Sequence, residues 1–288
     1  MTRGRLVIGA CALTAVVVPA VLARAAAPGG VVHAPASLVR SDISSNWSGY
    51  VAIGLGSTPT IASSTMTYTD VTGQWVQPKA ACTPGSPTSV AFWVGLGGYS
   101  ENSQQLEQAG TSADCDASGE PSYYIWYELV PADSVNVHSF VIRPGDTIAA
   151  VVQSKGPNRV LIQVIDRTRR TRFTKILPME QPDLTSAEWI AEAPSQCGET
   201  GFCSQIALTN FGSVTFTRTY AWGNGTAGTI SSPNWMTTAL RLVPKSRRGR
   251  YSGINSQPVS DDPGGAGARP SALTADGKGF SIEWRANP

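Results

Sequence analysis

From Asn46 onward the chain alternates apolar and polar residues in short runs, and no long stretch repeats at helical spacing. Alternation sends successive side chains to opposite faces, so each run predicts a half-buried β-strand. Strands are predicted at 47–53, 66–76, 90–97, 122–129, 139–142, 147–153 and 159–165. Others follow at 172–176, 187–193, 213–220, 236–242 and 280–284. Turn-forming runs separate them: Arg143-Pro144-Gly145-Asp146, Lys155-Gly156-Pro157-Asn158, Gly223-Asn224-Gly225 and Asp276-Gly277-Lys278-Gly279. A dozen short strands joined by local turns predict an all-β fold, an antiparallel β-sandwich of the jelly-roll kind. There is no internal repeat, and residues 45–288 suit one domain.

The first 25 residues follow a different pattern. Arg3 and Arg5 precede an apolar run over 6–22, and Ala23-Arg24-Ala25 supplies a small-x-small cleavage site. Pro19 and Arg24 close that run before a full ~20-residue membrane span, so residues 1–25 read as an export signal. Residues 26–44, rich in Ala, Pro, Gly and Ser, read as a leader or short pro-segment. A secreted, monomeric chain with no membrane attachment after cleavage is the expectation. Cleavage removes Cys11 and leaves Cys82, Cys115, Cys197 and Cys203. An even count in an exported chain predicts disulfides. Proximity favours Cys197 with Cys203 and leaves Cys82 with Cys115, one of three formal pairings.

Composition then narrows the chemistry. Charged residues are only 15% of the chain, which argues against a charge-laced helical bundle. The formal charge is +2, and −1 once Arg3, Arg5 and Arg24 are lost, so nothing marks a nucleic-acid partner. Two basic runs, Arg167 to Arg172 and Lys245 to Arg250, read as solvated surface, the first at a hairpin. The only imidazoles are His33, in the leader, and His138, in an alternating run without a nucleophile motif. That argues against a Ser-His-Asp triad and a multi-His zinc site, and neither metal nor cofactor is expected. No glycine-rich loop precedes a helix, so nucleotide binding has no support.

What remains is carboxylate and amide chemistry on apolar strands. In Ala187-Glu188-Trp189-Ile190-Ala191-Glu192-Ala193 the two acids share one strand face, with Trp189 and Ala191 on the other. Leu106-Glu107-Gln108-Ala109-Gly110 places an amide before small residues, and Trp126-Tyr127-Glu128 carries an acid among aromatics. Acids that lose solvation in this way suit general acid–base work. A polar outer sheet face would give the same spacing.

Ser45-Asn46-Trp47-Ser48-Gly49-Tyr50, Phe92-Trp93-Val94-Gly95-Leu96-Gly97-Gly98 and Leu106-Glu107-Gln108-Ala109-Gly110 resemble, in this order, segments of the glutamic peptidases, or eqolisins. Tyr124-Ile125-Trp126-Tyr127-Glu128, Ile142-Arg143-Pro144-Gly145-Asp146, Ala187 to Glu192, Phe211 to Phe216 and the 280–284 strand continue the match over roughly 45–285. The resemblance implies two large curved antiparallel sheets and a catalytic pair formed by Gln108 and Glu192. Glu192 would activate water as general base and return the proton to the leaving amine, while the Gln108 amide would donate to the oxyanion. Trp93 would shape the subsite floor, with Trp47, Tyr124, Glu128 and Glu188 as supporting or substrate-binding residues. Strand geometry alone does not separate Glu188 from Glu192; the resemblance favours Glu192. Two positions depart from the fungal pattern: Gly97 and Tyr124 stand where those members carry supporting Asp residues. The expected function is a secreted acid endopeptidase acting on polypeptides. The alternatives are a glycan-binding or glycan-hydrolysing jelly roll and an inactive peptidase-like binding module.

Overall fold

The computed structural model describes residues 30–36, 38–40, 42–58, 66–100, 103–198, 203–243 and 265–286. The expected export signal and the Lys245–Arg250 run lie outside them. The described residues form β1 (Val31–Val32), β2 (Leu38–Arg40), β3 (Ile43–Ser44), β4 (Trp47–Ile53), β5 (Tyr68–Val76), β6 (Thr88–Gly97) and β7 (Leu106–Cys115). Then come β8 (Pro121–Val130), β9 (Val135–Val141), β10 (Thr147–Ser154), β11 (Arg159–Asp166), β12 (Thr171–Pro178) and β13 (Ser186–Glu192). The last are β14 (Ser195–Cys197), β15 (Cys203–Gln205), β16 (Ser213–Gly223), β17 (Thr226–Thr229), β18 (Met236–Leu242), β19 (Gly267–Pro270) and β20 (Phe280–Ala286). No helix occurs among them.

All twelve strands predicted by alternation are present, with ends moved by a few residues. The longest strand that alternation did not predict is β7. Its sequence LEQAGTSADC shows no apolar alternation because it is buried on both faces. Strands with one wet face do alternate: β11 is buried at every second residue.

One sheet runs β18-β4-β13-β6-β7-β8-β9, antiparallel throughout. The other runs β12-β11-β10-β5-β16, and β17, β20 and β19 extend it. β18 joins the two, pairing with β4 along most of its length and with β19 at Leu242. Between the sheets lies the main core, which includes Trp75, Phe92, Val94, Ile148, Ile162, Trp189 and Phe216. Burying about 150–250 Å² of indole stabilises by roughly 4–6 kcal/mol per Trp at ~25 cal/mol/Å². Central strands β4, β6 and β13 are buried on both faces because a second cluster covers their outer side. Trp47, Trp93, Leu106, Trp126 and Ile190 belong to that second cluster.

Two disulfides close loops: Cys82–Cys115 at the end of β7, and Cys197–Cys203 across the β14–β15 hairpin. The run Arg167 to Arg172 does form a hairpin between β11 and β12. Arg169 there is not simply solvated: its Nε bonds Asp146 Oδ2 at 2.8 Å and lies 3.7 Å from Asp166 Oδ2.

Candidate active site

Residues paired across antiparallel strands share a sheet face, so register alone sets out the site. One row reads Glu188, Gly95, Gln108, Glu128 across β13, β6, β7 and β8. The next reads Ile190, Trp93, Gly110, Trp126, and the third Glu192, Ala91, Ser112, Tyr124. Trp47 on β4 pairs with Glu192. Gly95, Gly110, Ala91 and Ser112 keep the middle of this floor low. Gly110 has no alternative: a Cβ there would lie 2.0 Å from the Phe92 carbonyl oxygen.

Across this floor runs residues 30–36 of the same chain. β1 pairs with β14, Cys197 N–H donates to Gly30 O at 3.1 Å, and Ala36 N–H donates to Gly98 O at 3.0 Å. Between these anchors the peptide unit joining His33 to Ala34 meets the expected catalytic pair. Gln108 Nε2 donates to His33 O at 3.1 Å, and Ala34 N–H donates to Glu192 Oε1 at 3.1 Å. Trp93 Nε1 donates to Glu192 Oε2 at 2.9 Å. Glu128 Oε2 accepts from His33 N–H at 3.0 Å and from Gln108 Nε2 at 3.4 Å. Trp47 Nε1 and Asn46 Nδ2 donate to Ala34 O at 3.1 and 3.2 Å, and Asn46 also donates to Pro35 O. The His33 ring stacks on Trp126 with centroids 3.6 Å apart and planes 5° off parallel. Its Nδ1 lies 3.5 Å from Glu192 Oε2.

The electrostatics follow from burial. Burial first, then the neighbouring charge of Glu192, pushes Glu128 well above the usual carboxylate range. Burial also pushes Glu188 and Glu107 well up, aided by the charge of Asp183 and, for Glu188, that of Glu107. Asp114 is raised by burial, against the hydrogen bonds that it accepts from Ser89 and Tyr124. Burial and the adjacent Asp114 raise the Tyr124 phenol.

The structure thus brings Gln108, Glu192, Trp93, Glu128 and Trp47 around one peptide unit. Glu188 shares their face and is fully buried, beside the Ser186 hydroxyl and away from the His33–Ala34 unit. Tyr124 ends the third row and donates to Asp114 Oδ2 at 2.7 Å. Asp114 stands on β7 beside it. Asp183, between β12 and β13, stands beside Gly97. A Cβ on Gly97 would lie 2.6–2.8 Å from the Asp183 side chain, and φ there is +80°. Asp183 accepts from Gly98 N–H, the Ser103 hydroxyl and Thr185. His33, Asn46 and Trp126 were not picked out as site residues by sequence. Asn46 and Trp126 lie inside the recognised motifs, but His33 is placed by tertiary contacts that no local pattern encodes.

Residues 45–241 match the model of the peptidase A4 family. Aspergillopepsin-2 from Aspergillus niger is 30% identical over 206 residues, 64% of this chain and 66% of that protein. The chain thus spans just under two thirds of that relative's length. Scytalido-glutamic peptidase, solved with a peptide-based transition state analog, superposes with a TM-score of 0.61 at 20% identity, over 83% of this chain and 98% of that one. Aspergilloglutamic peptidase from Aspergillus niger gives 0.52 at 22% identity, over 68% and 99%. The two solved structures are likenesses of fold. The family match spans both strands that carry the Gln108–Glu192 pair, and the chain belongs to the peptidase A4 family of glutamic peptidases.

Proposed function

We propose that this protein is a secreted acid endopeptidase that hydrolyses polypeptides with Glu192 and Gln108. The observation that carries the reading is the shared peptide unit. One amide donor reaches its carbonyl oxygen while one carboxyl oxygen accepts its N–H on the far side of the same bond. Substrate backbone laid along this path presents a carbonyl to Gln108 and a nitrogen to Glu192.

The chemistry follows. Glu192 takes a proton from water as the water oxygen attacks the carbonyl carbon. Gln108 Nε2 donates to the oxygen that becomes anionic. The tetrahedral intermediate collapses, the C–N bond breaks, and Glu192 returns its proton to the departing amine. Gln108 does not titrate, so a single carboxyl moves the proton in both directions. Trp93 holds the Glu192 carboxyl in place through Oε2. Asn46 and Trp47 hold backbone carbonyls on the amine side, and Glu128 takes a backbone N–H on the acyl side. Glu128, pushed up by burial, is in its neutral form at acid pH, which leaves Glu192 without a competing charge beside it. The solved relative with a peptide-based analog supports a peptide as the ligand class. Two disulfides suit the extracellular space.

The test is digestion of a denatured protein across acid pH, read by mass spectrometry. Internal cleavages are expected from the wild type, and Glu192→Gln is expected to lose at least about 10²-fold in rate. Equal cleavage by wild type and Glu192→Gln would refute the assignment.

A further inference from the structure

We infer that the cleft prefers histidine on the acyl side of the bond it cuts, with Trp126 as the flat seat for the imidazole and Asp114 as the carboxyl that selects for its charge. The inference rests on the peptidase reading above and adds a substrate preference to it. Residues 30–36 show how a peptide lies on the floor. His33, whose carbonyl oxygen takes the Gln108 donor, occupies the acyl side. It is 2% exposed, and its ring lies flat on Trp126 with centroids 3.6 Å apart and planes 5° off parallel. Such a seat suits a planar ring better than a branched aliphatic side chain. Charge is what separates imidazole from phenyl. A substrate histidine is protonated below about pH 6.5, and phenylalanine has nothing to protonate. The face of an indole attracts a cation set over it.

Three carboxyls lie around the ring, and two of them have other duties. Glu192 Oε2 is 3.5 Å from His33 Nδ1, but Glu192 serves every substrate as the reacting carboxyl. Glu128 Oε2 is taken up by the His33 backbone N–H and Gln108 Nε2. Asp114 has neither role. It follows Gln108, Gly110 and Ser112 along the same face of β7, and it lies near enough for the His33 charge to act on it. Ser89 Oγ donates to its Oδ1 at 2.6 Å, and the Tyr124 hydroxyl donates to its Oδ2 at 2.7 Å. The carboxyl is thereby fixed beside the seat and acts on the ring through charge. Among the described residues no Lys or Arg forms an ion pair with Asp114, so its field is left to the occupant of the cleft.

The experiment digests a library of peptides from a denatured proteome with the purified protein at about pH 5, where histidine in a peptide is charged. Mass spectrometry gives the residue on the acyl side of each cut, scaled to its abundance, with Glu192→Gln as the blank. The ratio of His to Phe at that position does not depend on how much of the enzyme is active. In the wild type it is expected at about 10, with His and Phe both above Leu. Asp114→Asn is expected to lower the ratio about 5-fold. Tyr124→Phe, which removes the hydroxyl that holds Asp114, is expected to lower it in the same direction and carries the test if Asp114→Asn does not fold. A wild-type ratio below about 2, or Leu above Phe, overturns the inference and leaves the peptidase reading standing. A high ratio that neither variant lowers overturns Asp114 as the selecting carboxyl. No cuts beyond the Glu192→Gln blank overturns both readings.

Discussion

Glu192 meets one N–H donor on each oxygen, Trp93 Nε1 at 2.9 Å and Ala34 N–H at 3.1 Å. The first donor belongs to the cleft wall and the second to the occupant of the cleft, so Trp93 remains when the occupant changes. Hydrogen bonds to charged groups are worth about 1.5–3 kcal/mol, more than a neutral pair. Trp93→Phe keeps most of the ring and removes that donor. Its kcat on a peptide substrate is expected to fall about 10–100-fold with KM little changed. A Trp93 that merely fills the core would leave kcat near wild type in the same assay. At this scale the sequence was informative where motifs carried the residue and silent where the fold did. The resemblance singles out Gln108 and Glu192. Their meeting with the His33–Ala34 peptide unit was not legible, because the contacts span 75 and 158 residues of sequence. The acids that stand beside Tyr124 and Gly97 were hidden for the same reason: Asp114 and Asp183 sit on other segments.

Among the strands, β7 matters most. It carries Gln108 in the middle of the first sheet, between β6 and β8. Apolar alternation did not reveal it, since small and polar residues fill a strand squeezed between Trp93 and Trp126 on one side and the main core on the other. Gly110→Ala is expected to destabilise by about 1–3 kcal/mol or more, because its Cβ would press on Phe92 O and Trp93 Cβ. Urea unfolding of that variant against wild type measures the loss. The end of β7 is tied down by Cys82–Cys115, with a sequence separation of 33. Removing both cysteines is expected to cost about 3–4 kcal/mol by the loop-closure argument. Thermal unfolding with and without the substitution checks it, and an unchanged Tm would mean that packing alone holds the strand.

Several acids are buried without an ion pair among the described residues. Glu107, Glu128 and Glu188 are each pushed well above 4.5, chiefly by burial. Such groups bind protons more tightly when folded than when unfolded. Stability is therefore greatest below about pH 4.5 and falls as pH rises from there toward the folded values. Calorimetry across pH is expected to show a Tm that declines toward neutrality, and Glu188→Gln is expected to flatten the decline. A Tm that rises steadily from acid to neutral pH would contradict this. The same burial that suits the fold to acid also explains why composition hinted at so little. With 15% charged residues, the informative acids are few and lie inside.

The central claim is that Gln108 and Glu192 work on opposite sides of one peptide bond as a single device. A double-mutant cycle on kcat/KM, using Gln108→Ala, Glu192→Gln and the pair, tests it most directly. Each single change is expected to cost at least about 10²-fold, and the double little more than the worse single, because residues acting as a unit are strongly non-additive. Losses that multiply, or a Gln108→Ala enzyme with wild-type kcat/KM, would show that the two side chains do not share a bond.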